Sequence, residues 1–141
     1  MSSATKKYLL DASAIYPLVL QLREDFLNYS KHFTILDLTV YEVGNVIWKM
    51  YRRGMIKNLG VVAKLFQEVL NSMAMQRTMH NIEEILNISI KENLTFYNAS
   101  YLYIARTLKY KLVTEDHDLQ KYPESISINQ LLRELGIKPK R

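Results

Sequence analysis

Cysteine is absent from the sequence, which excludes disulfides, thiolate metal sites and a cysteine nucleophile and removes any need for an oxidising compartment. Glycine and proline are scarce, four and three in 141 residues, and no Gly/Pro/Ser-rich linker or low-complexity tract divides the chain. Nothing repeats at the period of roughly 20–50 residues that marks a solenoid or propeller. No apolar run approaches the roughly 18 residues needed to cross a bilayer, and the opening MSSATKK precedes only a short apolar strand, too short for a signal-peptide core. These absences predict a soluble, cytoplasmic protein without membrane association. Acids are also outnumbered, 14 against 19 Lys and Arg for a net charge of +5, so a phosphate polyanion is a fitting partner. The surplus sits at Lys49, Arg52, Arg53 and Lys57 and at Lys138, Lys140 and Arg141, where a solvated surface is the plainer reading.

What is present is a 48% hydrophobic chain, enough for one packed core. The expected organisation is a single domain over residues 1–141, with its core from about 7 to 135 and a short basic C-terminal tail. KYLLD (7–11) and FTILD (33–37) read as buried strands ending on acids. Ser13 is the expected cap of a helix to about Leu22, with Pro17 in or near its first turn, and REDFLNYS the expected next short helix. Thr39 is the expected cap of VYEVGNVIWKMYRRG, with Glu42 in the first turn, Val43, Val46, Ile47 and Met50 facing the core, and Gly54 ending the helix. A return helix from Leu59 to about Asn71 and an irregular strand within Met73 to Met79 follow. Asn81 and Asn98 read as caps of two further helices, KLVTE (111–115) and 125–128 as strands, and Asn129 as the start of a closing helix. Short strands alternating with helices predict an α/β fold, a three-layer α/β/α sandwich around a short, mostly parallel sheet.

In such sheets ligands bind beyond the carboxyl ends of the strands. Asp11 and Asp116 fall there, and Glu42 and Asn98 fall at helix starts. Convergent carboxylates repel one another unless a cation lies between them, and Mg²⁺ or Mn²⁺ accepts carboxylate oxygens while leaving positions for phosphate. Such an ion makes hydroxide and neutralises charge on a phosphodiester, which points to hydrolysis of nucleic acid. Taken singly, each acid reads as a helix cap or a partner of the helix dipole.

The blocks YLLDASAI, LDLTVYEVGNVIWK and LTFYNASYLYIARTLKYKLVTEDHDL, in that order and spacing, resemble the PIN-domain ribonucleases, especially the VapC toxins of prokaryotic toxin-antitoxin pairs. The likeness runs from Tyr8 to about Leu135. It implies a metal-dependent endoribonuclease with Asp11, Glu42, Asn98 and Asp116 as the catalytic positions, of which Asp11, Glu42 and Asp116 hold Mg²⁺ or Mn²⁺. Ser13, Asn45 and Thr114 would support those acids. The departure is Asn98, where the family usually has Asp: the amide keeps a carbonyl oxygen but loses a charge. The resemblance further implies an RNA substrate, a small antitoxin as inhibitor and a homodimer. The alternatives are a catalytically silent PIN domain that binds RNA or an antitoxin-like partner, and a PIN nuclease of RNA processing.

Arg52, Arg53 and His117 are candidate RNA contacts, and Tyr97 is the best placed of the ten Tyr to stack on a base. The three His share no metal-binding spacing, no glycine-rich loop cradles phosphate, and Ser13 lacks a nucleophile's G-x-S-x-G setting. Asp118 reads as the cap of a following turn. Leu18, Val19 and Leu22, and the hairpin near Met55, Ile56 and Leu59, are candidate apolar contacts for an antitoxin helix or second subunit, with core packing as the equal alternative.

Overall fold

The structure, a computed structural model, describes residues 7–78 and 80–138. Lys140 and Arg141, Met79 and the first six residues lie outside the described part.

Among the described residues five parallel strands form the sheet: β1 (Tyr8–Leu10), β2 (Phe33–Leu36), β3 (Ala74–Gln76), β4 (Lys111–Val113) and β5 (Ser125–Ile126), in the order β3-β2-β1-β4-β5. Because strand side chains alternate, each strand feeds two cores. Tyr8, Leu10, Phe33, Ile35 and Val113 point to one side, where they meet α1 (Ala12–Leu22), α2 (Asp37–Arg52), α3 (Leu59–Asn71) and α7 (Ile128–Leu135). Leu9, Leu36 and Leu112 point to the other, against α4 (Ile82–Glu92), α5 (Phe96–Leu108) and α6 (His117–Gln120). The result is the expected three-layer α/β/α sandwich.

Strand order runs outward in both directions from β1, and a crevice opens at the carboxyl ends where such an order reverses. Asp11 directly follows β1, and Asp116 lies three residues beyond β4. At the opposite rim, Glu134 of α7 accepts hydrogen bonds from Tyr8 (2.8 Å), Lys111 (2.7 Å) and Gln130 (3.2 Å). Tyr8 and Lys111 are the first residues of β1 and β4 and register partners.

Several local expectations are corrected. Asp11, not Ser13, caps α1, and Pro17 sits inside that helix beyond its first turn. REDFLNYS forms 3-10 turns, Arg23–Asn28 and Ser30–His32. Helix α2 begins at Asp37, so Thr39 lies inside it and Glu42 falls in the second turn. Of its expected stripe only Val43 is fully buried. Thr95 caps α5 by accepting from the Asn98 amide, so Asn98 is a helical residue and not the cap. The irregular strand is the edge strand β3, and Ser127 rather than Asn129 opens α7. Leu18, Val19 and Leu22 are core residues under the sheet and offer no surface, and Ile56 is also buried; Met55 and Leu59 are exposed.

Candidate active site

Asp11 is the most tightly held acid. Its Oδ1 accepts from the Ser13 hydroxyl (2.6 Å) and the Ala14 amide (3.1 Å), and its Oδ2 from the Thr114 hydroxyl (2.5 Å). One carboxylate thus caps α1 and ties it to the end of β4. Ser13 and Thr114 accept in turn from the amides of Glu115 (2.9 Å) and Asp116 (3.0 Å), which shapes the loop carrying the next acid. Asp11 is only 4% exposed. Burial pushes its carboxyl up to about 6 against the pull of these donors, and the charge of Asp116 adds to the rise.

Glu42 projects from the second turn of α2, where its Oε1 accepts from the Tyr101 hydroxyl at 2.7 Å. Tyr101 is also 2.7 Å from the Thr39 hydroxyl, which accepts from the Leu36 amide at 3.0 Å. Partial burial raises the Glu42 carboxyl, the Tyr101 bond opposes that, and Asp116 raises it further. Asp116 caps α6 by accepting from the Asp118 amide at 2.8 Å, so the cap of that turn is Asp116 and not Asp118. Asn98 stands in the first turn of α5, and its side-chain amide makes no hydrogen bond among the described residues.

Asp11, Ser13, Glu42, Asn45, Asn98 and Asp116 line one cleft of about 270 Å³, with Ala12, Val46 and Tyr101 completing its wall. Thr114 lies behind the wall, fully buried. As placed, no three His, Cys, Asp or Glu side chains among the described residues stand close enough to clasp an ion. The donor set nevertheless fits a hard divalent cation: every polar group on the wall offers oxygen, and three are carboxylates. Each carboxylate is anchored yet keeps lone pairs: Oδ2 of Asp11 has one donor, and Glu42 Oε2 and Asp116 Oδ2 have none among the described residues. Asp116 raises the proton affinity of both other acids, a repulsion that a cation held between them would relieve.

The expected RNA contacts lie outside this cleft. Lys49, Arg52 and Arg53 gather with Trp48 in a neighbouring hollow of about 250 Å³ at the far end of α2. His117 is exposed at the start of α6, and Tyr97 is exposed beside Asn98. Tyr101 and Thr39 escape a reading based on acids alone, although helical spacing carries their signal. Tyr101 follows Asn98 by three residues and Thr39 precedes Glu42 by three, so each shares a face with its neighbour.

The sandwich and the acids at its strand-order reversal define a PIN-like α/β class. No protein-family model matches the chain. It is 34% identical over 131 residues to exonuclease VapC9 of Pyrobaculum aerophilum, covering 92% of this chain and 96% of that protein. It is 28% identical to ribonuclease VapC3 of the same organism, covering 86% and 98%. The crystal structure of PAE2754 from Pyrobaculum aerophilum matches with a TM-score of 0.83 at 33% identity, over 93% and 97% of the two chains. A toxin-antitoxin complex from Klebsiella pneumoniae matches with a TM-score of 0.61 at 14% identity over 85% and 96%, a likeness of fold alone. The chain belongs to the VapC family of PIN-domain nucleases.

Proposed function

We propose that this chain is a divalent-metal-dependent endoribonuclease and the toxin half of a toxin-antitoxin pair. The observation that carries the reading is the cleft itself, where Asp11, Glu42, Asn98 and Asp116 face one space at the reversal of strand order. Asp11, Glu42 and Asp116 would hold Mg²⁺ or Mn²⁺. When bound, such an ion supplies activation of water and neutralisation of phosphate charge. Ser13 and Thr114 would aim Asp11, since both hydroxyls donate to it and oppose the rise that burial causes. Asn45, on the α2 face that bears Glu42, contributes a neutral polar group to the wall for a substrate oxygen.

RNA would run from the cleft along α2. Lys49 and Arg53 follow Glu42 at helical spacing on one face, and among the described residues neither they nor Arg52 takes part in an ion pair. Arg52 lies 5.0 Å over the half-exposed Trp48 ring, a platform on which an unpaired base can stack. His117 would contact phosphate beyond Asp116. An antitoxin partner agrees with the VapC relatives and with the toxin-antitoxin complex that shares the fold. A homodimer and a cytoplasmic location complete the reading; no described helix is long and apolar enough to cross a membrane.

The test is Mn²⁺-dependent cleavage of an RNA pool by this chain, by Asn98→Asp and by Asp11→Asn. Activity in the first two and loss in the third is the expected result. A circularised RNA separates endonuclease from exonuclease action, because it has no end to attack. The missing charge at Asn98 favours a second reading, a silent domain that binds RNA or its partner without cutting: cleavage by Asn98→Asp alone would trace the silence to the amide, and inactivity of all three proteins would support the silent domain.

A further inference from the structure

We propose that Tyr101, backed by Thr39, is a positioning residue for the cation site: a one-way hydrogen-bond relay that clamps Oε1 of Glu42 and presents Oε2 to the metal. The proposal rests on the reading of Glu42 as a metal-holding acid.

The polarity of the relay follows from proton counting. The Leu36 amide can only donate, so the Thr39 oxygen accepts there at 3.0 Å. The Glu42 carboxylate can only accept, so the single Tyr101 proton goes to Oε1 at 2.7 Å. The Thr39 proton therefore fills the remaining 2.7 Å contact by pointing at the Tyr101 oxygen. Thr39 is fully buried and Tyr101 is 1% exposed, so water cannot replace a lost partner and the chain has no alternative direction.

The relay also joins the elements that must be spaced for the cleft to exist. Leu36 ends β2, Thr39 and Glu42 belong to α2, and Tyr101 sits one turn beyond Asn98 on α5. Glu42 is the acid with the least support of its own. Asp11 and Asp116 are fixed by caps of their own helices, whereas Glu42 takes its one bond from another element. A phenylalanine at 101 would fill the same core volume, so the hydroxyl adds orientation of the acid beyond packing.

The test is calorimetric titration of Mn²⁺ alone into Tyr101→Phe, Thr39→Val, Thr39→Ser and Glu42→Gln, in the native chain and in an Asn98→Asp background, with melting curves alongside. Tyr101→Phe is expected to weaken Mn²⁺ binding by about tenfold, the scale at which partners behind a metal ligand act. Thr39→Val weakens it in the same direction and Thr39→Ser, which keeps the hydroxyl, restores it. If Tyr101→Phe fails to fold, the Val and Ser variants of Thr39 carry the comparison. A purely structural tyrosine would lower the melting temperature and leave Mn²⁺ affinity unchanged, which overturns the relay. Wild-type affinity in Glu42→Gln, or no Mn²⁺ binding in either background, overturns the metal reading of Glu42 and the relay with it. Loss in Glu42→Gln without loss in Tyr101→Phe overturns the relay alone.

Discussion

The two rims of the sheet treat carboxylates in opposite ways. At the amino rim Glu134 meets a cation, Lys111, together with the hydroxyl of Tyr8 and the amide of Gln130. Burial raises its carboxyl, but those bonds and the Lys111 charge prevail and hold it at about 2. At the carboxyl rim Asp11 and Glu42 receive only neutral donors, have Asp116 as a charged neighbour and are both raised. One rim pairs its acid with a cation of the chain, whereas the other leaves its acids without one among the described residues. An acid matched by its own lysine is satisfied within the fold, whereas acids matched only by neutral donors would suit a cationic visitor.

The sharpest way to break this contrast is to remove charge at each rim in turn. Asp116→Asn is expected to lower RNA cleavage by at least about a hundredfold, beyond the loss seen when mere supporting groups are removed. Glu134→Gln should leave cleavage within about twofold. Equal losses in a single-turnover assay would refute a division of labour between the rims.

The next effect is on stability against pH. Asp11 rises from 3.8 to about 6 on folding, so between those values the folded state holds more protons than the unfolded chain. Metal-free stability should therefore fall as pH rises from about 4 to about 6, by on the order of 3 kcal/mol. Glu134 has the opposite sign: its contribution is present above about 4.5 and is lost as pH falls toward 2. Urea titrations at a series of pH values should show a maximum where these windows meet, at about pH 4. Saturating Mn²⁺ should flatten the upper slope only, because it binds the ionised acid.

Smaller effects refine the picture. Tyr8→Phe removes one donor to Glu134 and is expected to cost about 1 kcal/mol in chemical denaturation, with cleavage unchanged. Arg53→Ala should weaken binding of single-stranded RNA and reduce the slope of log affinity against log salt by about 0.7. An unchanged slope would remove Arg53 from the RNA path.

The strand ends were legible in the sequence because a short apolar run closed by an acid leaves few other readings; KYLLD and FTILD did so. The four positions that share the cleft were reached by that route and by motif spacing. Helix starts were legible at α3, which opens at Leu59, and at α4, which opens after Asn81, but not where several capping side chains lie within three residues of one another. Asp11 and Ser13 compete at α1, and the serine proton goes to the aspartate itself. Thr95 and Asn98 compete at α5, and the threonine wins by accepting the asparagine's amide. Tyr101 was hidden for a different reason, since a tyrosine on the buried face of a helix reads as core until the partner of its hydroxyl is seen.

The unbonded side chain of Asn98 has a consequence for inheritance. Thr95 caps the helix through the backbone of that residue, so the cap places no demand on whether the side chain is an amide or an acid. Every asparagine codon becomes an aspartate codon by one transition at its first base. A lineage carrying this chain can therefore restore or discard a negative charge at its cleft in a single genetic event, without renegotiating the architecture around it.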